Sequence, residues 1–451
     1  MGYNIGIDFG TSNSGAAFFD GSQVHLLPID EKNVVPEVIK TILYITRDQR
    51  CAIGQEAVEL YYRQNVNRRR RFVKKWVGEI EVYGGDMYFV RDVYTYVDEL
   101  MPGRLLQFIK TALRTPGIDG TMVFDRFYTL GDIISVYLGQ LKQRAEILLG
   151  GEVTAVTLGR PVKFSQDPAQ DTTAQAIMEN AALSTGFTRV NFELEPVAAA
   201  LNYELGLRKP QNVLVFDFGG GTLDITIMRL GDPQHRQVYA NGGIDIAGSD
   251  FDRAIIQQRM LRHFGLGQVD QQRDLLELVN AVADWISLPD LSTPKARLRL
   301  EQAITQGIAP ARLKALESLL FNDLAFLFYN QVEAAKIRLS EQGAAVIALQ
   351  SKDIDVWELY TRTQFETDIQ PFAQQIKAVL LETVERSSLA LEQIDAVVTT
   401  GGSSGIPLFN SMLAGIFGRN RLQQASAFSS VTAGLSIRAY HGKDTPASQG
   451  E

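Results

Sequence analysis

Two carboxylates far apart in the chain share one local context. Asp8 closes the apolar run of "NIGIDFGTSNSG" at residues 4 to 15, and Asp217 closes that of "VLVFDFGGGTLDIT" at residues 213 to 226. Each is followed by Phe, Gly and small hydroxyl or glycine residues, then by a second apolar run. A strand ending this way turns consecutive backbone N–H groups into a concave nest that suits phosphate oxygens. Gly219, Gly220 and Gly221 allow close approach of a ligand, and Thr11, Ser12 and Thr222 add hydroxyl donors. Bare carboxylates beside a polyphosphate would repel it. Magnesium, which keeps several of its waters, could be held by both and screen that charge. Taken singly, each stretch reads equally well as a glycine-rich hairpin; the repetition is what favours a shared ligand.

These residues need matching elements to hold them. "NIGIDFG", "SGAAFFDG" and "QVHLLPI" read as a three-strand meander, and "NVLVFDFG", "TLDITIMRLGD" and "RQVYANGG" repeat it. Strand and helix then alternate in each half. A helix is expected near residues 132–149, capped by Asp132, with Ile134, Leu138, Leu141 and Leu148 on one face and Gly150 as its stop. "VTAVTLG" precedes a helix with the stripe Ala174, Ile177, Met178 and Ala181; "RVNFELE" precedes one opening at Pro196; "DAVVTTGG" again reads as strand, turn and helix. The pattern predicts two mixed α/β lobes around a cleft. Lobe I spans 1–209 and is completed by a C-terminal helix at 428–441; lobe II spans 210–427. Insertions occupy about 35–110 and 250–345, the second helical, and residues 442–451 form a polar tail.

Bulk properties narrow the partners. A chain of 451 residues exceeds the size of one growing core. Hydrophobic residues make up 45% and charged residues 21%, which suits a packed protein rather than a disordered one. The net charge of -8 and pI near 5.3 disfavour sequence-independent nucleic-acid binding. Cys51 is the one cysteine, so no disulfide can form within the chain, and with four histidines no Cys/His zinc cluster is expected. A reducing cytoplasm fits this usage. No signal peptide and no apolar run of membrane-spanning length is visible, and Gly6 spoils a myristoylation signal.

At this point the residues resemble a known family. "IGIDFGTSNS" and "VFDFGGGTLDITIM" are similar to the two phosphate loops of the nucleotide-binding domain shared by actin, sugar kinases and 70-kilodalton heat-shock (DnaK-like) chaperones. "LEPVAAALNYELG" resembles the chaperones' connecting helix, "GIDIAGSDFD" their next turn and "VVTTGGSSGIP" their adenosine loop, in family order; the short YegD-like members are the nearest match. The resemblance implies a two-lobed actin-like (ribonuclease H-like) ATPase fold of duplicated mixed sheets, each lobe carrying an inserted subdomain. ATP or ADP with Mg2+ is the implied cofactor. Asp8, Glu195 and Asp217 would face the magnesium and its waters, and Asp224 would orient the attacking water. Gly10, Thr11, Ser12, Asn13, Gly219, Gly220, Gly221 and Thr222 would hold phosphates, with Gly248, Ser249 and Asp250 close by. Glu333, Lys336, Ser340, Gly401, Gly402, Ser403 and Ile406 would hold the nucleoside. By itself, Glu195 reads as a helix-start carboxylate favoured by the dipole. "RFVKKWVG" resembles the segment carrying the chaperones' catalytic lysine, which assigns that role to Lys74, with Lys75 as the adjacent competitor and a solvated basic face after Arg68–Arg71 as the plain alternative. Protein kinases also carry Asp-Phe-Gly, but their catalytic-loop signature is missing upstream.

Two departures stand out. The chaperones sandwich adenine between two arginines, whereas the matching positions here are Ile337 and Gly405, with Arg338 one residue away on another helix face. The chaperones also continue into a peptide-binding domain, for which this sequence leaves no room. The expectation is therefore a slowly ATP-hydrolysing two-lobe switch, read by a protein partner or co-chaperone, without nucleic acid, membrane or a client-peptide domain of the usual kind. The competing readings are a small-molecule kinase on the same scaffold and a nucleotide-stabilised scaffold or filament subunit.

Overall fold

The computed structural model describes residues 2–84, 87–115, 117–165, 167–232, 235–284, 288–426 and 429–442. In the first half, strands Tyr3–Phe9, Asn13–Phe19 and Val24–Leu26 form an antiparallel meander; Val153–Arg160 and then Arg189–Leu194 extend it in parallel on the other side of Tyr3–Phe9. The second half repeats the scheme. Gln211–Phe218, Leu223–Leu230 and Gln237–Ile244 form the meander, and Ala396–Thr400 and Leu422–Gln424 add in parallel beside Gln211–Phe218. The central strands are covered on both faces, which is why "VLVF" is a continuous apolar run. Leu214 and Phe216 point into the large core shared with the second insertion, while Val213 and Val215 point to the opposite side.

Two helices tie the halves together by exchange. Glu195–Glu204, which ends the first half, packs on strands Gln211–Phe218 and Leu223–Leu230 of the second; Ser430–His441, which ends the second, packs on Tyr3–Phe9, Asn13–Phe19 and Val153–Arg160 of the first. The helices meet where a Cβ on Gly434 would lie 1.7 Å from the Ala198 carbonyl oxygen, so only glycine permits that crossing.

The first insertion contains the sheet Ile42–Thr46, Cys51–Ile53 and Gly103–Gln107, the helix Gln55–Asn65, and a long hairpin, Phe72–Gly84 with Met87–Asp98. The second is helical through Ala325–Glu341 and then adds the hairpin Ala344–Ser351 with Ile354–Thr361. The insertions close on one another: Phe326 of the second is buried among Tyr44, Val58 and Tyr61 of the first.

Local differences from expectation have local causes. The helix expected from 132 starts at Leu130, because Thr129 is its N-cap and Asp132 completes the capping box from the third helical position. Leu148 is exposed rather than on its buried face. The helix expected to open at Pro196 begins one residue earlier, at Glu195, and the last helix begins at Ser430. Residues 443–451 of the polar tail lie outside the described residues. Among the described residues no helix is long and apolar enough to cross a membrane.

Candidate functional site

Asp8 and Asp217 each occupy the position before the last residue of a matching central strand, so the duplicated sheets present them at equivalent ends. Asp224 is the second residue of the strand after the glycine turn, and Glu195 is the first residue of the exchanged helix. A fifth group completes the cluster: Lys110, on the short helix Ile109–Ala112, whose Nζ pairs with Glu195 Oε1. Glu195, Asp217, Asp224 and Lys110 are buried, the last three with only 7%, 3% and 8% of their surface exposed.

Four carboxylates surround one ammonium, so negative charge is in surplus. Burial first, and the Glu195 charge second, push Asp8 and Asp224 up to about 7; the same causes raise Asp217 well above the carboxylate range. Burial works against the Lys110 ammonium, but Glu195 and Asp8 outweigh it and raise its pKa. Such a cluster is suited to a further cation. Among the described residues no three His, Cys, Asp or Glu side chains converge closely enough to ligate a metal directly. Four carboxylates around one ammonium suit a hydrated divalent ion such as Mg2+, held through its waters.

The two Asp-Phe-Gly turns abut. A Cβ on Gly220 would lie 2.7 Å from Ser12 Oγ, and one on Gly221 would lie 2.5 Å from Thr11 Oγ1. Gly10 is equally confined, by the Asn13 carbonyl. The Thr222 hydroxyl bonds to Asp224, whose Oδ1 also accepts the Val162 N–H at 2.7 Å. Gly248, Ser249 and the 401–406 turn close in on the glycine loop: Ser403 Oγ donates to the Gly219 carbonyl at 2.6 Å, and Gly401, at φ +79°, passes so close to the Phe218 carbonyl that a Cβ would be 2.3 Å away. Ile406 is buried behind this turn, whereas Gly402 is exposed. Asp250 does not point to the loops through a free oxygen pair; its Oδ2 accepts the Ala247 N–H and caps the helix Gly248–Ile255.

Helix Ala325–Glu341 supplies the next group. Lys336 Nζ donates to the Gly248 carbonyl at 2.9 Å and pairs with Asp252 at 2.7 Å. Glu333 lies 3.8 Å from Lys40 across the cleft, and both line a cavity with Thr11, Ser12, Ser249 and Asp252. The Ser340 hydroxyl bonds back to the Lys336 carbonyl. Ile337 is 57% exposed, and Arg338 is turned to the Val346 carbonyl at 3.0 Å. Among the described residues no atom beyond Gly405 and its two chain neighbours lies within 4 Å of the position a Gly405 Cβ would take.

The structure places Lys74 outside this cluster. Lys74 lies on the exposed face of the Phe72–Gly84 strand with its Nζ 4.2 Å from the Tyr94 ring centre, and Lys75 beside it is exposed too. The ammonium that acts on Asp8, Asp217 and Asp224 is that of Lys110. The long hairpin precedes the strand Gly103–Gln107, and Lys110 follows that strand on the helix Ile109–Ala112. A signal was present: Lys110 is the single charge in the run "LLQFIKTAL". The Arg68–Arg71 stretch is not simply a solvated basic face either. Arg68 pairs with Asp98 at 2.6 Å and Arg70 with Asp323 at 2.6 Å, both arginines being nearly buried, while Arg71 meets Glu99 at the surface.

The family model described as "Hsp70 protein" matches residues 4–281 and 326–443. The chain is 22% identical to the chaperone protein DnaK of Thermus thermophilus, over 97% of this chain and 61% of that protein. It is 28% identical to chaperone protein DnaK 3 of a Synechococcus strain, over 93% of this chain and 54% of that protein. The DnaK of Thermosipho africanus is 26% identical over 73% of this chain and 48% of its own length. The chain thus spans roughly half to three fifths of the relatives it matches.

Proposed function

The chain belongs to the Hsp70 family, and from that premise we propose that it binds ATP between its two lobes and hydrolyses it slowly with magnesium, the bound nucleotide setting the angle between the lobes for a protein partner to read. One observation carries the reading: the duplicated sheets bring two matching Asp-Phe-Gly turns together over a buried cluster with surplus carboxylate and a single lysine. Asp8, Asp217 and Glu195 would hold the waters of Mg2+, which supplies the positive charge the cluster lacks. The N–H groups and hydroxyls of the 10–13 and 219–222 turns hold phosphate oxygens. Lys110, rather than Lys74, stabilises charge on the transferring phosphoryl group. Asp224, anchored by the Val162 N–H, orients the attacking water. Glu333, Lys336, Ser340, Gly401, Ser403 and Ile406 form the nucleoside side of the site.

The test is phosphate release from ATP with and without magnesium, in the wild-type chain and in Asp8→Asn and Asp217→Asn. Each variant should keep its folded circular dichroism and lose at least about tenfold in magnesium-dependent turnover, because each removes a charge that serves the cation. Wild-type turnover in both variants would refute the proposal.

A further inference from the structure

Every carbonyl of the glycine turn is tied back, and one of the ties comes from the opposite lobe. The Gly219 carbonyl accepts from the Gly248 N–H at 3.3 Å and from Ser403 Oγ at 2.6 Å, and the Gly220 carbonyl accepts from the Ser249 N–H at 2.8 Å. Those donors belong to the second lobe, as the turn does. The Gly221 carbonyl is held by Arg114 Nη1 at 2.7 Å, and the same nitrogen lies 3.4 Å from Asp245 Oδ1 at the end of the edge strand Gln237–Ile244. Arg114 belongs to the first lobe: it follows Leu113, which is buried in that lobe's core, and its N–H closes a turn on Thr111, one residue after Lys110.

In a trans peptide the carbonyl and the following N–H point to opposite sides. Holding the Gly219, Gly220 and Gly221 carbonyls therefore turns the N–H groups of Gly220, Gly221 and Thr222 the other way. From this we infer that Arg114 is a positioning residue for the phosphate nest: it supplies the third carbonyl anchor from across the cleft, so the nest is complete only while the lobes are closed. This rests on the nucleotide reading above and extends it, because it names the contact through which lobe closure is felt at the phosphates. The same turn of chain carries Lys110, so closing brings the charge-stabilising ammonium and the carbonyl anchor to the nest together.

The test has one arm without nucleotide and one with it. In the nucleotide-free protein, amide hydrogen exchange across residues 219–224 should quicken in Arg114→Ala and return part of the way in Arg114→Lys, whose single ammonium can still reach the carbonyl. In calorimetric titrations with magnesium, Arg114→Ala should bind ADP and ATP about tenfold more weakly while adenosine binding stays within about twofold, since only phosphates use the nest. In turnover the loss should appear mainly in KM. Should Arg114→Ala fold poorly, Arg114→Lys and Asp245→Asn carry the same comparison with a smaller effect. Unchanged exchange at 219–224, or an equal loss of adenosine and ATP affinity, overturns the inference. If the wild-type chain bound no nucleotide while exchange still responded to Arg114→Ala, the anchor would stand and the nucleotide reading would fall.

Discussion

At the level of single residues the group proposed to stabilise phosphoryl charge is Lys110, whose ammonium pairs with Glu195. A lysine with 8% of its surface exposed is held in place by charge: Glu195, Asp8 and Asp224 favour its ammonium, and it in turn relieves their mutual repulsion. Lys74, by contrast, stands in solvent against one aromatic ring. Lys110→Ala should therefore slow ATP hydrolysis by about a hundredfold or more, with a much smaller change in ATP affinity, as expected when transition-state charge loses its partner. Lys74→Ala should leave turnover within about twofold, because an exposed cation–π contact contributes little. Steady-state kinetics of both variants decide the matter; a large loss in Lys74→Ala alone would restore the motif-based assignment. Asp8 and Asp217 were readable as candidates because each closes a strand in a repeated motif, whereas Glu195 came only through the family resemblance. For Lys110 the one sequence signal was its lone charge in an apolar run; its place beside the acids comes from groups that other elements contribute.

At the level of elements, the insertions do more than decorate the lobes. Tyr61 donates its hydroxyl to the Asp323 carbonyl at 2.9 Å, Arg70 pairs with the Asp323 carboxylate, and Phe326 is fully buried in the first insertion's aromatic cluster. The upper rim of the cleft is thus a small shared core with an ion-pair clasp beside it. Truncating Phe326 to Ala should cost about 3 kcal/mol in denaturant unfolding, the usual cost of emptying a buried phenylalanine site. It should also speed release of a fluorescent nucleotide in stopped-flow displacement, because parting the lobes no longer requires exposing that ring. Equal release rates in wild type and Phe326→Ala would mean that nucleotide leaves without opening this rim. The strands, the meanders and most helices were legible from apolar periodicity and caps. The docking of one insertion on the other was not, because "NDLAFLFYNQ" is apolar on several sides and does not reveal which ring meets a foreign core.

At the level of the whole molecule, the proposed nucleotide groups are unevenly divided between the lobes. The two proposed phosphate turns come one from each lobe, whereas the groups proposed for the nucleoside, on Ala325–Glu341 and the 401–406 turn, belong to the second lobe alone. Ile337 is exposed, the space at Gly405 is open and Arg338 is committed to the Val346 carbonyl, so these positions offer no cationic pair to stack on a base. The loss of two such contacts is worth about 1 to 4 kcal/mol. Mg-ATP and Mg-GTP should accordingly raise the melting temperature by similar amounts, with apparent affinities within about tenfold of each other. Nanomolar, strongly ATP-selective binding in calorimetry would contradict this. The repeat of Asp-Phe-Gly, the two meanders and the alternation of strand and helix were determined by the sequence alone, because strand period, turn glycines and apolar runs act over a few residues. The pairing of Lys110 with Glu195, the clasp of Arg70 on Asp323 and the reach of Arg114 to the Gly221 carbonyl were decided only by the tertiary structure. Burial and charge pairing depend on which distant groups the fold brings within a few ångströms, and no spacing along the chain encodes that distance.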